Sequence, residues 1–549
     1  MTRPRLAPAL SLLLLVPAIA SAQATVARAP SQVARVDSVF ARWDSHRTPG
    51  CAVAIRRDGT PLLVRAYGMA DLEHDAPNLP ETVFETGSVS KQFTAAAVVL
   101  LAQQGKLSLD DDVRKHVPEL PDYGATITLR HLVNHTSGLR DWGTVVAIAG
   151  WPRTSRVHTH AHVLDVASRQ KSLNYAPGSQ YLYSNTGYNL LAVIVERVSG
   201  EPFAAFTRRA IFQPLGMTRT EWRDDFTRVV KGRAIAYEQR EDSTFHSQMP
   251  FENVHGNGGL LTTVTDLLRW NENLRTGRVG GRALIDELNR QGVLADGRKI
   301  EYAGGLFVSR HRGLPEVSHS GATAGYRAWL GTYPEQRLEV ALLCNAAEAN
   351  PVVLAHQVAD IYLPASAPPA APRPVAMPAE MLEARAGLYR NRRTNEPYRL
   401  VVRDGRLGRP GSSGLTPVSA ARFEGPDGWP RMEFEGPGHV PFRFTGADGD
   451  TLSYEPMEAW TPTPEQLAAL AGEYRSEEAE ATYTVAVVDG KPVMRMRPAA
   501  AIPMVPAYAD AFTVGGMVVR FGRDAAGRVD GFSVWADRVR GLRFDRVSR

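Results

Sequence analysis

The chain has 549 residues, of which 44% are hydrophobic and 22% charged, and this composition excludes a wholly disordered or collagen-like chain. Its 63 basic residues are nearly balanced by 58 acidic ones, which leaves a formal net charge of +5. So small a charge over this length, without a run of Lys or Arg, argues against nucleic acid as a partner. At about 100–200 residues per domain, we expect three or four units.

The first 22 residues predict a secretory signal peptide. Arg3 and Arg5 precede an apolar stretch over residues 6–20, and small residues follow, with cleavage expected before Gln23. The alternative is an uncleaved membrane anchor, but the apolar stretch contains two prolines and is short for a hydrocarbon layer of about 30 Å. We therefore expect a mature protein without a membrane span, located in the periplasm or secreted.

Residues 33–362 alternate strand-like and helix-like patterns. Strands are predicted at both ends of this region and helices between them, over Cys51–Thr60, Pro61–Tyr67, Ser88–Gln104, Thr186–Ser199, Tyr326–Tyr333 and Leu338–Cys344. This order predicts an α+β domain with a central antiparallel sheet flanked by helices.

Residues 363–380 are rich in Pro and Ala and predict a semi-rigid linker. Beyond them, short alternating runs are separated by Asp-Gly turns, as in small all-β domains. The sequence Ala-Gly-Leu-Tyr-Arg at 386–390 recurs as Ala-Gly-Glu-Tyr-Arg at 471–475, 85 residues later. The repeat predicts two small antiparallel, lipocalin-like β-barrel domains, 381–460 and 461–549, with one larger barrel as the alternative.

Ser88-Val89-Ser90-Lys91 has a spacing that suits nucleophilic catalysis. If Ser88 opens a helix, Lys91 lies one turn further on the same face, and the helix N-terminus offers N–H groups to an oxyanion. The following helix is mostly apolar, which favours a neutral, proton-accepting Lys91. A second Ser-x-x-Lys, Ser168 to Lys171, has polar neighbours near a helix end and indicates a coincidence at the surface.

Two further groups of polar residues follow along the chain. Tyr183 and Asn185 precede a helix, and Tyr183 would serve as a base if a cation such as Lys91 lowered its pKa. His319 and Ser320 lie on a strand, where Gly321 would let a substrate approach the strand edge. Each group alone is better explained as a buried structural Tyr or as a surface strand with an incidental His.

Together, and in this order, the three groups resemble the motif set of the serine β-lactamase and penicillin-binding-protein superfamily. The similarity is to its class C β-lactamase-like branch, with Tyr-x-Asn as the second motif and His-x-Gly as the third. Segments 84–88, 127–138, 214–217 and 258–263 also look like that branch. The resemblance covers residues 33–362.

The resemblance implies a role for each site residue. Ser88 would be the nucleophile, Lys91 and Tyr183 the acid/base pair, and the N–H groups of Ser88 and Ala322 the oxyanion donors. Asn185 would hydrogen-bond the acyl side of the substrate, while His319, Ser320 and Gly321 would line the substrate site. No metal or other cofactor is implied.

The third motif departs from the pattern of penicillin targets, whose Lys at this position recognises a carboxylate. His319 is mostly neutral at pH 7, so a substrate carboxylate loses that partner. The pattern is similar to that of the family's D-aminopeptidases, which carry two β-barrels and a tail loop that selects the substrate's amine. No motif identifies such a loop here.

We therefore expect an exported serine hydrolase that forms an acyl-enzyme and cleaves a small ester or a short D-residue peptide. The alternatives are a class C-like β-lactamase or DD-peptidase and, from another class, a catalytically silent penicillin-binding sensor. The tail domains would serve specificity, docking or oligomerisation, and a homo-oligomer is left open.

Cys51 and Cys344 are the two cysteines of the chain. Their spacing fits buried free thiols as well as a disulfide, which an exported protein permits. The topology implied by the resemblance would place the first strand, from Cys51, antiparallel to the last, which ends at Cys344. A disulfide then becomes as plausible as two thiols.

A run of three histidines, His158, His160 and His162, resembles a set of metal ligands. Thr159 before an amphipathic stretch instead indicates a helix N-cap, and on a helix His160 would point away from the other two. No metal site is predicted.

Overall fold

The computed structural model describes residues 31–365, 372–426, 428–497 and 501–547. The predicted signal peptide over residues 1–22 and residues 366–371 of the predicted linker lie outside this range. Among the described helices, none combines the length and the apolar character that a membrane crossing requires.

A six-stranded antiparallel sheet forms the centre of the first part of the chain. The strands lie in the spatial order Phe307–His311, Leu314–Thr323, Tyr326–Tyr333, Leu338–Cys344, Cys51–Arg57 and Thr60–Tyr67. The first strand of this sheet along the chain, Cys51–Arg57, thus pairs with its last, Leu338–Cys344. This central antiparallel sheet confirms the predicted fold class. The predicted hairpin around Asp58-Gly59 and the paired strands near residue 335 are also present.

Both faces of this sheet are covered. In the strand Cys51–Arg57, Ala52 and Ala54 face one hydrophobic core, and Val53 and Ile55 face a second one on the opposite side. This alternation follows from the two-residue period of a strand. Because both faces are buried, the strand contains hydrophobic residues on both sides.

Cys51 lies directly opposite Cys344 in the pairing of the two strands. Their Cα atoms are 4.0 Å apart, and the structure joins the two residues in a disulfide. The bond links positions separated by 293 residues.

Helices pack on both faces of the central sheet. One short helix also precedes each of the two tail sheets. The α-helices are Gln32–Phe40, Lys91–Gln103, Leu129–Val133, Trp142–Ile148, His160–Ser168, Asn185–Ser199, Phe203–Thr207, Gln213–Leu215, Val264–Thr276, Gly281–Leu288, Pro351–Tyr362, Ala379–Glu383 and Pro464–Leu470. Short 3₁₀ turns cover Gly87–Ser90 and Val113–Lys115, and a π-helical turn covers Arg208–Phe212.

Short strands lie outside the central sheet in this part of the chain: Met69–Asp71, Ala76–Pro77, Phe84–Glu85, Glu221–Trp222, Tyr237–Gln239, Phe245–Ser247 and Leu260–Thr262. The strand Phe84–Glu85 pairs with Leu260–Thr262 and leads directly into the turn that carries Ser88.

The tail forms two separate antiparallel sheets and not the single larger barrel. The eight-stranded sheet contains Gly387–Asn391, Pro397–Arg403, Arg406–Gly408, Thr416–Pro417, Arg422–Glu424, Arg431–Phe434, Phe442–Thr445 and Thr451–Met457. The nine-stranded sheet contains Gly472–Ser476, Ala481–Val488, Lys491–Arg495, Ile502–Pro503, Val505–Pro506, Ala511–Val514, Met517–Arg523, Val529–Ala536 and Val539–Arg546. Each sheet is a nearly closed barrel.

The sequence repeat corresponds to a repeated structure. The Tyr389 hydroxyl donates to the Arg385 carbonyl at 2.8 Å, and the Tyr474 hydroxyl donates to the Leu470 carbonyl at 2.7 Å. Each buried Tyr therefore ties the first strand of its sheet to the chain just before that strand. The same bond in both copies explains why the motif recurs.

The nine-stranded sheet packs against residues 33–362 and shares a hydrophobic core with them. Trp142 and Ile148 lie in one cluster with Phe532 and Phe544 of the sheet. At its edge, the Arg140 guanidinium pairs with the Glu478 carboxylate at 2.6 Å, and both side chains are buried. The nine-stranded sheet is therefore attached to this part of the chain by both apolar and charged contacts.

Candidate active site

Ser88 lies in a tight 3₁₀ turn, Gly87–Ser90, and the α-helix begins at Lys91. We predicted that the α-helix starts at Ser88, and this start was wrong by three residues. Gly87 has a φ of 52°, a conformation that favours glycine, and it turns the chain sharply after the strand Phe84–Glu85. The Lys91 side chain nevertheless reaches back to Ser88.

Lys91 makes three short contacts in the centre of the molecule. Its Nζ donates to the Asn185 Oδ1 at 3.0 Å and to the Asn257 carbonyl at 2.5 Å, and it lies 3.0 Å from the Ser88 Oγ. Both oxygens can only accept, so a neutral amine keeps its lone pair for the Ser88 hydroxyl. Residues Lys91 to Leu101 of its helix are all buried. Burial lowers the pKa of Lys91 well below its ordinary value, and the nearby Arg538 guanidinium lowers it further. A neutral amine in contact with a hydroxyl can accept its proton.

Tyr183 lies on the other side of the amine. Its ring centroid is 4.8 Å from the Lys91 Nζ, and its buried hydroxyl has no hydrogen-bond partner among the described residues. Burial raises the pKa of Tyr183, although proximity to Ser88 and to the Arg538 guanidinium opposes that effect. Tyr183 therefore keeps its proton at neutral pH, whereas Lys91 is the better proton acceptor of the two.

We predicted that Lys91 would act as the cation that lowers the pKa of Tyr183. The structure instead gives Lys91 a strongly lowered pKa and Tyr183 a raised one, and the Arg538 guanidinium opposes part of the rise at Tyr183. The physical reason is burial, which disfavours a charged amine as much as a charged phenolate.

His135 holds the loop that carries Tyr183. Its Nδ1 accepts the Ser184 N–H at 3.2 Å, and its carbonyl accepts the Leu182 N–H at 3.0 Å. The imidazole ring lies 4.1 Å from the Tyr183 ring, centroid to centroid. Asn185, the second motif residue after Tyr183, donates its backbone N–H to the Asp141 carboxylate at 2.7 Å. These contacts fix the positions of both motif side chains.

The strand Leu314–Thr323 runs along the Ser88 turn. A Cβ atom on Gly321 would lie 1.9 Å from the Thr86 carbonyl oxygen and 2.9 Å from the Ser88 nitrogen. A Cβ on Gly87 would in turn lie 2.7 Å from the Ala322 nitrogen. The two glycines therefore allow the backbone at Ser88 to approach the backbone at Ala322, and the N–H groups of these two residues are the predicted oxyanion donors.

His319 lines the cleft as a neutral side chain. Its Nδ1 lies 2.5 Å from the Ser320 carbonyl, which can only accept, so Nδ1 carries the proton and Nε2 accepts from the Tyr302 hydroxyl at 3.2 Å. Burial and the nearby Lys91 lower the pKa of His319 to about 3. The imidazole therefore supplies no positive charge at neutral pH.

These side chains surround a cleft with a volume of about 690 Å³. Its lining includes the predicted Ser88, Tyr183, Asn185, His319, Ser320, Gly321 and Ala322, together with Arg153, Asn257, Arg327, Glu348 and Arg538. The structure thus brings all predicted catalytic and substrate-binding residues together, with Lys91 buried beneath Ser88.

Sequence reasoning missed several residues around this cleft. His135 and Asn257 lie in or next to segments 127–138 and 258–263, whose resemblance to the family was a usable signal. Tyr302 and Arg538 had no such signal. Arg538 lies at the tip between the strands Val529–Ala536 and Val539–Arg546, and its guanidinium carbon is 4.9 Å from the centroid of the Tyr183 ring.

The second Ser-x-x-Lys motif and the run of three histidines lie outside the cleft lining. Lys171 is exposed and pairs with Glu477. Thr159 caps the helix His160–Ser168, and the His162 Nδ1 accepts the Thr159 N–H at 3.0 Å, as a capping residue would. The His160 Nε2 contacts the His255 carbonyl at 3.0 Å, so the three histidines do not share a ligand site.

A different group could hold a metal ion. On the far face of the central sheet, ligand atoms of His311, Glu316 and His356 lie within 4.8 Å of one another. Each imidazole already has a carboxylate partner, because His356 contacts Glu316 at 2.8 Å and His311 contacts Asp360 at 2.9 Å. None of these three residues lines the cleft around Ser88.

Comparison with known proteins agrees with this geometry. The β-lactamase family model matches residues 36–363. The chain belongs to the β-lactamase family. It is 30% identical to penicillin-binding protein 4* of Bacillus subtilis over 330 residues, which cover 56% of this chain and 70% of that protein.

Two further matches of this β-lactamase-family chain, one in sequence and one in structure, also cover part of the tail. It is 25% identical to a D-aminopeptidase of Brucella ovis over 531 residues, covering 92% of this chain and 96% of that protein. The octameric penicillin-binding protein homologue of Pyrococcus abyssi matches with a TM-score of 0.54 at 22% identity, covering 85% of this chain and 99% of that one. The structural match shows a shared fold.

Proposed function

We propose that this chain is a serine hydrolase that forms an acyl-enzyme on Ser88 and cleaves an ester or a D-residue amide. The contact that carries the proposal is the 3.0 Å distance between the Lys91 Nζ and the Ser88 Oγ, at an amine whose pKa is lowered by burial and which can therefore accept the hydroxyl proton. Such a pair can deprotonate the nucleophile without a metal ion.

Each of these groups has a role in the proposed reaction. The Lys91 amine takes the proton of the Ser88 hydroxyl as its Oγ bonds to the substrate carbonyl carbon, and the N–H groups of Ser88 and Ala322 bind the resulting oxyanion. The Tyr183 hydroxyl gives its proton to the departing oxygen or nitrogen, and Lys91 returns a proton to Tyr183. Water then attacks the acyl-enzyme, and the same groups act in reverse to release the acid and restore the Ser88 hydroxyl.

The test is covalent labelling of the purified protein with a fluorophosphonate, followed by mass spectrometry of the labelled peptide. We expect the label on Ser88, and Ser88→Ala and Lys91→Ala to abolish labelling. Ser168→Ala and Lys171→Ala are matched controls, because they make the same changes in the surface Ser-x-x-Lys and should leave labelling intact. Equal labelling of wild type and Ser88→Ala would refute the proposal.

A hydrolysis panel separates the substrate classes. D- and L-aminoacyl p-nitroanilides, p-nitrophenyl acyl esters and nitrocefin test amidase, esterase and β-lactamase activity in turn. The alignment with a D-aminopeptidase over 92% of this chain supports the D-residue amide. Turnover of nitrocefin alone would support the β-lactamase alternative, and labelling without turnover of any substrate would support a penicillin-binding sensor.

We also propose that the protein is exported to the periplasm or secreted. The leader pattern over residues 1–22 and the disulfide between Cys51 and Cys344 support this location, because disulfides persist in oxidising compartments. Cell fractionation with N-terminal sequencing should find a mature chain that begins at Gln23. A chain retained in the cytoplasm with its leader intact would refute the proposal.

A further inference from the structure

Arg538 brings a positive charge from the nine-stranded sheet to the cleft around Ser88. It stands at the turn between two long strands, lines the same cleft as Ser88, and lies against the ring of Tyr183. About a third of its side chain is exposed, so a ligand in the cleft can reach it.

The turn that carries Arg538 is fixed to the catalytic region. The Asn174 Nδ2 donates to the Arg538 carbonyl at 3.0 Å, and the Arg540 N–H donates to the Asn174 Oδ1 at 2.8 Å. The Arg540 guanidinium also donates to the Gln180 Oε1 at 2.6 Å. Arg538 is therefore held in place before a substrate arrives, which lowers the entropic cost of binding.

The guanidinium of Arg538 keeps its hydrogen-bonding capacity free. Among the described residues it has two long ion pairs, to Asp141 at 3.8 Å and to Asp537 at 3.5 Å, and no hydrogen bond. The Asp141 carboxylate is already occupied, since it accepts the N–H groups of Thr144 and Asn185. The planar Arg538 guanidinium therefore keeps the paired N–H donors that can bind both oxygens of a carboxylate.

The other charged residues that line the cleft are already engaged. Arg153 forms a two-point ion pair with Glu252, and Arg327 donates to the carbonyls of Ala324 and Tyr326. Glu348 accepts the Gln239 N–H and lies near Arg327. With His319 neutral, Arg538 is the cation in the described cleft wall that is left without a hydrogen-bond partner.

We propose that Arg538 binds an anionic group of the substrate, and that the hydrolase prefers esters or amides that carry a carboxylate near the scissile bond. The proposal rests on the proposed function. It revises the expectation from His319 alone, which was that a substrate carboxylate has no partner in this cleft. The partner comes instead from a turn of the nine-stranded sheet.

The test compares matched substrates that differ by one charge. In the acyl arm, 4-nitrophenyl hemisuccinate is compared with its methyl ester; in the leaving-group arm, 3-carboxyphenyl acetate is compared with its methyl ester. The readout is the ratio of kcat/KM for the anionic and neutral members, which cancels any general effect of Arg538 on the catalytic groups. We expect a ratio of about ten in at least one arm, as one charge-assisted hydrogen bond supplies.

Variants assign the preference to Arg538. Arg538→Gln should bring the ratio close to one, and Arg538→Lys should keep part of it, because the charge remains without the planar fork. Arg528→Gln is the matched control: it removes one Arg charge from the same sheet at a side chain that is 81% exposed, and it should leave the ratio unchanged. The wild-type ratio should also fall as salt is added. Equal ratios for wild type and Arg538→Gln in both arms would overturn the proposal.

A binding measurement separates this proposal from the hydrolase itself. Calorimetry with Ser88→Ala needs no turnover and compares hippurate with hippurate methyl ester. We expect Ser88→Ala to bind hippurate more tightly than its ester, and addition of Arg538→Gln to weaken hippurate binding about tenfold. Equal binding by the two variants overturns the anion site even if the hydrolase is active. Failure of the fluorophosphonate to label Ser88 would refute the proposed hydrolase function. The calorimetric comparison would still test whether Arg538 binds an anion.

Discussion

Replacement of Gly321 by Ala tests whether the close contact between two backbone segments creates the oxyanion site. The new Cβ would lie 1.9 Å from the Thr86 carbonyl oxygen, whereas such contacts do not occur below 3.0 Å, so the strand or the turn must move by roughly 1 Å. A misplacement of that size typically costs about 100-fold in rate, and the loss of one oxyanion donor costs about 100- to 1000-fold in kcat. We therefore expect kcat to fall by about 100-fold or more, and the free energy of unfolding to fall by about 1–3 kcal/mol from overpacking.

The assay combines steady-state kinetics on the best ester of the panel with urea unfolding. Gly436→Ala is the matched control, because a Cβ there meets no atom within 4 Å and both kcat and stability should stay unchanged. A Gly321→Ala enzyme with the kcat of the wild type would refute the argument that this glycine sets the distance between the two N–H groups.

Three further predictions follow from other contacts. In the proposed mechanism a neutral Lys91 is the base, so kcat/KM should rise with pH along a limb below 10.5. Arg538→Gln should move that limb to higher pH, because the guanidinium opposes protonation of the amine. His319→Lys buries an unpaired cation and should cost about 3 kcal/mol of unfolding free energy at pH 7 in urea titrations. That cost should shrink as pH rises, because the unfolded chain holds the proton more tightly than the folded one. Replacing both Cys51 and Cys344 by Ala should lower the free energy of unfolding by up to about 5 kcal/mol, because the bond closes a loop of nearly three hundred residues, whereas reductant should affect only the wild type.

The sequence carried most of the catalytic assignment because the key residues are close neighbours along the chain. Ser88 and Lys91 are three residues apart, and Tyr183 and Asn185 are two apart, so local geometry limits where their side chains lie. The start of the helix was misplaced because the close approach of the strand Leu314–Thr323, which favours a sharp turn at Gly87, is invisible in the local pattern.

The charge state of the site was harder to predict than its composition. The pKa values of Lys91, Tyr183 and His319 depend on how deeply each is buried and on which charges lie nearby. Arg538 is one of those charges, and it lies 355 positions from Tyr183 along the chain. No spacing rule connects residues that only tertiary packing brings together, so this neighbour had to come from the structure.

The fold of the tail was predictable because it is repeated. One unit of alternating residues would have been compatible with many β arrangements, but two copies at a constant offset indicated two similar units. How the second unit sits on the catalytic region was not predictable, since the apolar side chains of Trp142 and Ile148 are equally suited to an internal core.

The location of Arg538 at a turn has a consequence for how this enzyme lineage can diversify. The turn contributes its side chain to the cleft while the two strands behind it maintain the sheet, so residues 537 and 538 can change while Ser88, Lys91 and the disulfide stay in place. Surface turns accept substitutions and insertions more readily than helices or strands. The lining of the cleft can therefore change in one folding unit while the residues around Ser88 stay encoded in another.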